Sequence, residues 1–128
     1  MKPKFRAWTE EGEVMYYDVY PFKDDTLLLS YDEISFDEVP ASDFILMQST
    51  GLKDKNGDEI FEGDIVRYTD GDKECLCPVK YIKDYSCFGV EWGSGFLVTF
   101  EYLDSFYTKL YYLEVVGNEF ENRDLLGE

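Results

Sequence analysis

Asp54, Asn56 and Asp58 place oxygen-bearing side chains at alternate positions, the way a calcium-binding EF-hand loop begins. The pattern then fails. Counted from Asp54, Gly57 falls at the fourth position where the loop needs glycine at the sixth, and Ile65 holds the twelfth, where a bidentate Glu is required. Asn and Asp also populate tight turns because their side chains bond nearby amides and tolerate positive φ. We therefore read Asp54–Asp58 as a turn. Cys75, Cys77 and Cys87 are the second candidate set. On a strand Cys75 and Cys77 share one side, which suits a soft metal, but zinc takes four ligands and the chain has no histidine to complete them. A fourth ligand would have to be a carboxylate or a partner's residue. The cysteines are assigned as small buried apolar residues, and no metal is assigned.

Catalytic constellations fare no better. Without histidine, a Ser-His-Asp triad, a Cys-His pair and imidazole metal sites are all excluded within one chain. No glycine-rich phosphate loop of the Walker or dinucleotide kind is present. Carboxylate pairs of the glycosidase type carry no information in a chain with 28 acidic residues. The reading is a non-enzyme with no catalytic residues and no cofactor.

The elements around these residues read as short strands with turn punctuation. Lys4–Trp8 alternates, Glu11-Gly12 turns, and Val14–Tyr20 returns as a second strand stopped by Pro21. Thr26–Leu29 is too short a run to decide between strand and helix. Tyr31–Pro40 is acidic and reads as irregular structure or one helical turn. Phe44–Gln48 leads to Thr50-Gly51-Leu52, which ends that strand and returns Leu52 to the core. Asn56-Gly57 has the composition of a two-residue type I′ hairpin turn. Gly63-Asp64 then opens Ile65–Tyr68 through a bulge or turn. After a turn at Asp70-Gly71-Asp72, Cys75–Ile82 reads as a strand broken or edged by Pro78. Cys87–Trp92 and Phe96–Leu103 flank a Gly93-Ser94-Gly95 turn, although the second run, extended to Tyr107, is also compatible with a helix. Leu110–Val116 closes the sheet with Gly117-Asn118 as its exit, and Glu121–Leu126 forms one helical turn. The expected fold is all-β, a mainly antiparallel barrel or sandwich with at most one or two short helices, as a single domain over 1–128.

Composition limits the partners. An aromatic fraction of 18% and an apolar fraction of 45% belong to a folded chain. The net charge of −16 repels phosphate backbones, so direct nucleic-acid binding is not expected. No apolar run approaches the length of about 20 residues that spans a bilayer, so no membrane association is expected. An odd cysteine count and no signal peptide point to a reducing cytoplasm. Tyr and Trp favour protein contacts because they bury area while keeping a polar handle. Adjacent tyrosines on a strand face opposite ways, so Trp8, Tyr17, Trp92 and Tyr112 are taken as interface candidates.

Three blocks carry a family resemblance over most of the chain. Lys4-Phe5-Arg6-Ala7-Trp8 followed by Met15 is similar to the opening motif of the YopX family of phage and prophage proteins. Met47–Leu52 running into Lys53–Val66 resembles its middle, and Leu113-Glu114-Val115-Val116-Gly117-Asn118 with Glu121-Asn122 resembles its close. Glu119, where an apolar residue is commoner, and Asp124, where Pro is frequent, depart from the pattern. The resemblance singles out Thr50, Gly51, Leu52, Asp54, Asn56, Gly57, Gly63 and Asp64 as a structural signature, and it implies a bacteriophage-encoded protein with no established activity. The expected function is that of a phage accessory protein in the cytoplasm of the bacterial host, a non-catalytic module that binds a host or phage protein or self-associates as a homo-oligomer. The alternative is an acidic DNA mimic that acts as a decoy for a nucleic-acid-binding protein.

Overall fold

The structure, a computed structural model, describes residues 4–70, 73–92, 96–99 and 113–126, with the backbone alone at 69, 70, 73, 92 and 96–99. The described residues form twelve strands and three short 3-10 turns, and eight strand pairs among them are antiparallel. The all-β expectation holds. The chain divides into two compact units, Met1–Ser49 and Thr50–Glu128.

In the first unit, β1 (Phe5–Thr9) lies between β2 (Val14–Tyr16) and the start of β6 (Ile45–Lys53), with Ala7 opposite both Tyr16 and Leu46. A second sheet has the order β3 (Val19–Pro21), β4 (Thr26–Leu29), β5 (Asp37–Pro40). Strand alternation decides what is buried. Val19, Leu27 and Leu29 face inward with Ala7 to form the core, and Val39 packs against it.

Two expectations change here. Val14–Tyr20 is not one strand: it bends at Tyr17-Asp18, so Val14–Tyr16 pairs with β1 while Val19–Pro21 pairs with β4. A continuous strand would follow one neighbour, and the bend lets Val19 enter the core instead. The end of the acidic segment is also a strand, since Asp37–Pro40 pairs with Thr26–Leu29. Its single inward side chain, Val39, opposite Leu27, suffices to hold it, and Pro40 closes it at the end.

The second unit carries a five-stranded sheet, in the order β11 (Phe96–Thr99), β10 (Cys87–Trp92), β9 (Lys73–Ile82), β8 (Asp64–Asp70), β12 (Leu113–Asn118). The end of β6 runs beside β7 (Glu59–Phe61). Ile60, Val66, Cys77, Val79, Val90 and Leu113 are all at most 1% exposed and form this unit's core, with Leu52 packed against it. Each such aliphatic side chain contributes about 1.5–3 kcal/mol on burial.

Pro78 neither breaks β9 nor puts it at an edge. The Val79 carbonyl accepts from the Gly63 amide, so the Pro78 nitrogen faces the β10 side. There the register runs from Cys87–Ile82 to Val90–Val79 and stops short of Pro78. The missing N–H thus falls where the ladder ends. Strands β10 and β11 pair antiparallel as expected, from Gly89–Thr99 to Trp92–Phe96. Their Gly93-Ser94-Gly95 turn lies outside the described residues, as do the Gly71-Asp72 part of the earlier turn and the whole of 100–112. The C-terminal helical turn is the 3-10 segment Arg123–Leu126.

Candidate functional site

The residues of the middle and closing motifs hold the second unit together. Thr50 Oγ1 donates to the Ile60 carbonyl at 2.8 Å and accepts from the Leu52 amide at 3.1 Å. Gly51 has φ of 80°, and β6 continues through it to Lys53, so Thr50-Gly51-Leu52 does not end the strand. Leu52 does reach the core.

The Asp54–Asp58 loop is not a type I′ turn. Only Gly57 of the Asn56-Gly57 pair has positive φ, at 85°. The Gly57 amide donates to the Asp54 carbonyl, and the Asp54 amide donates to the Asp58 carbonyl, an ordinary turn closed by a left-handed glycine. The Asp54 side chain favours this form because its Oδ1 accepts from the amides of Asn56 and Asp58, both at 2.9 Å. Its Oδ2 accepts from the Val115 amide at 2.8 Å, and the Lys55 amide donates to the Leu113 carbonyl. The buried carboxylate therefore ties the hairpin to β12, and its two oxygens are already engaged by three amides.

Gly63 and Asp64 act similarly. Gly63 has φ of 89°, its amide bonds the Val79 carbonyl, and its own carbonyl accepts from the Glu119 amide. Asp64 is 3% exposed, and its Oδ2 accepts from the Phe61 amide at 2.7 Å. At the close, Asn118 Oδ1 accepts from the amides of Phe120 and Glu121, while Asn122 Oδ1 accepts from the Asn118 amide. A Cβ on Gly117 would sit 2.6 Å from that Asn122 oxygen, so any larger residue there must displace the Asn122 side chain.

The cysteines are free thiols. Cys75 and Cys77 share one side of β9, with their sulfurs 3.4 Å apart. Burial, and secondarily the Cys75 thiol, push the Cys77 pKa up to about 12, so Cys77 stays protonated at neutral pH. Among the described residues no three Cys, Asp or Glu side chains gather as a metal site.

Among the described residues, exposed rings occur on both units, Tyr81 and Tyr85 on the second and a larger group on the first. On β3, β4 and β5 the side chains opposite the core line up as Tyr20, Leu28 and Glu38 across the register. Phe22 follows Pro21, its amide bonded to the Thr26 carbonyl, and Phe36 precedes β5. Tyr20, Phe22 and Phe36 are 46%, 53% and 43% exposed. The Tyr20 and Phe36 rings meet at 5.9 Å. Lys23 Nζ sits 5.7 Å from the centre of the Phe22 ring and 3.7 Å from Glu38 Oε2.

A neighbouring loop adds Tyr31 and Ile34, both exposed. It is ordered by Asp32, whose Oδ1 accepts from the amides of Ile34 and Ser35 at 2.9 and 3.0 Å. The Ser35 amide and then the Ile34 amide hold the Asp32 carboxyl below its ordinary value of 3.8. Ser30 Oγ accepts from the Glu33 amide, and Glu33 adopts φ of 65°. The Tyr31 ring meets Tyr16 edge-on at 5.5 Å.

Of the four interface candidates, Tyr17 is 61% exposed, between β2 and β3. Trp8 is 3% exposed on β1 and offers almost nothing to a partner, because both faces of this strand are covered and Arg6, Ala7 and Trp8 are all buried. The Trp92 side chain and all of Tyr112 lie outside the described residues. Phe22, Lys23 and Phe36 escaped the sequence reading. Alternation across Val19–Phe22 was the available signal for Phe22, and taking 31–40 as irregular hid Phe36.

A cleft of about 260 Å³ lies elsewhere on this unit, lined by Trp8, Glu10, Glu11, Asp43 and Phe44 among others. No helix among the described residues is long and apolar enough to cross a membrane.

The YopX protein family model matches residues 4–127. The crystal structure of protein EF1440 from Enterococcus faecalis is similar, with a TM-score of 0.71 and 28% identity over 98% of this chain and 99% of that one. No curated protein matches. With signature residues engaged in backbone hydrogen bonds and the match running through nearly every residue, the chain belongs to the YopX protein family.

Proposed function

We propose that this protein is a phage-encoded, non-catalytic module that binds another protein through the outer face of β3, β4 and β5. One observation carries the reading: the Tyr20 and Phe36 rings meet at 5.9 Å while both stay more than two-fifths exposed, and Phe22, just beyond β3, is exposed as well. A soluble domain seldom leaves clustered rings in water unless something covers them. Tyrosine and phenylalanine supply large contact area at low conformational cost, which suits the centre of an interface. The loop beside them is held by Asp32 and Ser30, so little ordering entropy remains to be lost on binding. The absence of histidine supports a non-catalytic role.

The test is a photo-crosslinking amino acid placed at Tyr20 and, as control, at the exposed Tyr81 of the second unit. Both proteins are exposed to host lysate. A protein crosslinked from position 20 and not from position 81 supports the reading. Equal capture from both, lost at modest salt, favours the acidic decoy, and capture of a second copy favours self-association. Equal capture from both positions, or no capture from position 20, overturns the proposed face, and capture of a second copy overturns the foreign partner.

A further inference from the structure

We infer that the partner of the β3–β5 face is a cationic protein segment whose arginine or lysine side chains lie over the exposed rings and reach the carboxylates around them. The inference rests on the binding face proposed above and adds the chemistry of its occupant. The protein already shows the contact on itself. Lys23 Nζ lies 5.7 Å from the Phe22 ring centre and 3.7 Å from Glu38 Oε2. A cation there is held by ring and carboxylate together. Lys23 is a weakly held occupant, since its ion pair with Glu38 is solvent-exposed, the lysine side chain at 64%. A partner's guanidinium, planar and more weakly hydrated than an ammonium, stacks on a ring more readily than Lys23 does.

Charge decides which class of occupant fits. Glu38 stands on this face beside Leu28, and the segment that builds the face, residues 18–39, carries seven acidic residues in sequence against the single base Lys23. A second copy docking face to face would set this negatively charged segment against itself, at a cost that like charges impose across an interface. A nucleic acid would meet the same repulsion. A cationic segment meets carboxylates at the rim and rings at the centre, so both parts of the face are satisfied at once. This differs from charge mimicry, in which the rings would play no part.

The test uses a defined probe, an eight-residue peptide alternating arginine and alanine, titrated into the whole protein and followed by amide chemical shifts, with a glutamate–alanine peptide as control. Shifts should concentrate at Tyr20, Phe22, Leu28 and Phe36, and the control should leave them unmoved. Replacing both Tyr20 and Phe36 by serine should weaken binding about fivefold, and Glu38→Lys by a similar factor, with the fold intact because all three side chains are exposed. Lys23→Ala should tighten binding about twofold by uncovering Phe22 and Glu38. Lys83→Ala removes the same charge from the second unit and should have a smaller effect.

Shifts spread evenly over acidic segments of both units, equal effects of Lys23→Ala and Lys83→Ala, or no shift at millimolar peptide would each overturn the inference. If the peptide fails while position 20 still crosslinks a protein, the cationic chemistry falls and the binding face stands. If position 20 captures nothing, the face itself falls.

Discussion

Replacing Asp54 by asparagine changes one oxygen for an NH2 group and so separates structural from ligand-binding roles. The amide oxygen still accepts from the amides of Asn56 and Asp58, but the NH2 group then points at the Val115 N–H, donor against donor. One charge-assisted bond at 2.8 Å is lost. Bonds to charged groups contribute about 1.5–3 kcal/mol, so a loss of about 2 kcal/mol is expected. Alanine removes all three bonds, yet Asn56 and Asp58 are exposed and their amides are taken up by water. The alanine variant should therefore lose only about 3 kcal/mol, not three times the asparagine value. Urea unfolding gives the global loss, a midpoint about 1 M lower for asparagine. Hydrogen exchange at the Val115 amide gives the local one, roughly 30-fold faster, since 1.4 kcal/mol is a factor of ten. Unchanged Val115 exchange in both variants would refute the clamp and return Asp54 to the candidates for ligand binding.

Gly117→Ala should cost about 1–3 kcal/mol by forcing Asn122 off the Asn118 amide, and the penalty should shrink in an Asn122→Ala background, as a double-mutant cycle in urea would show. The Asp32 carboxyl is held below its ordinary 3.8, so the order it gives the loop is present above that value and is lost as pH falls through the lower folded value. The amide shifts of Ile34 and Ser35 should report that acid step, and Asp32→Asn should abolish it. Cys77 ionises in the unfolded chain near 9.0 but in the folded protein only at about 12, so stability is full below pH 9 and declines between pH 9 and 12. Cys77→Ala should flatten the alkaline part of that curve in urea unfolding at stepped pH.

The all-β class was legible because turn residues and short β-branched or aromatic runs report locally on the backbone. Boundaries were legible only where local signals matched the long-range ones. Asp37–Pro40 is acidic and contains a proline, yet pairing with β4 makes it a strand through Val39 alone. The Asn56-Gly57 pair suggested a type I′ turn, and the Asp54 carboxylate selected another by offering Oδ1 to two amides. That carboxylate's third bond, to Val115, spans 61 positions of sequence and has no local signature. The same distance problem affected the interface residues. Trp8 looked available because tryptophan favours interfaces, but its strand is buried at three consecutive positions. Phe36 meets Tyr20 only because β4 lies between their strands.

We propose that binding falls to the first unit's exposed rings, while the second unit's signature residues serve structure. The most direct test compares the proteins retained from host lysate by the wild type and by the variant with serine at both Tyr20 and Phe36. A partner held by the wild type and lost from the variant, whose urea midpoint is unchanged, is the expected result. Equal retention by the two proteins would contradict it.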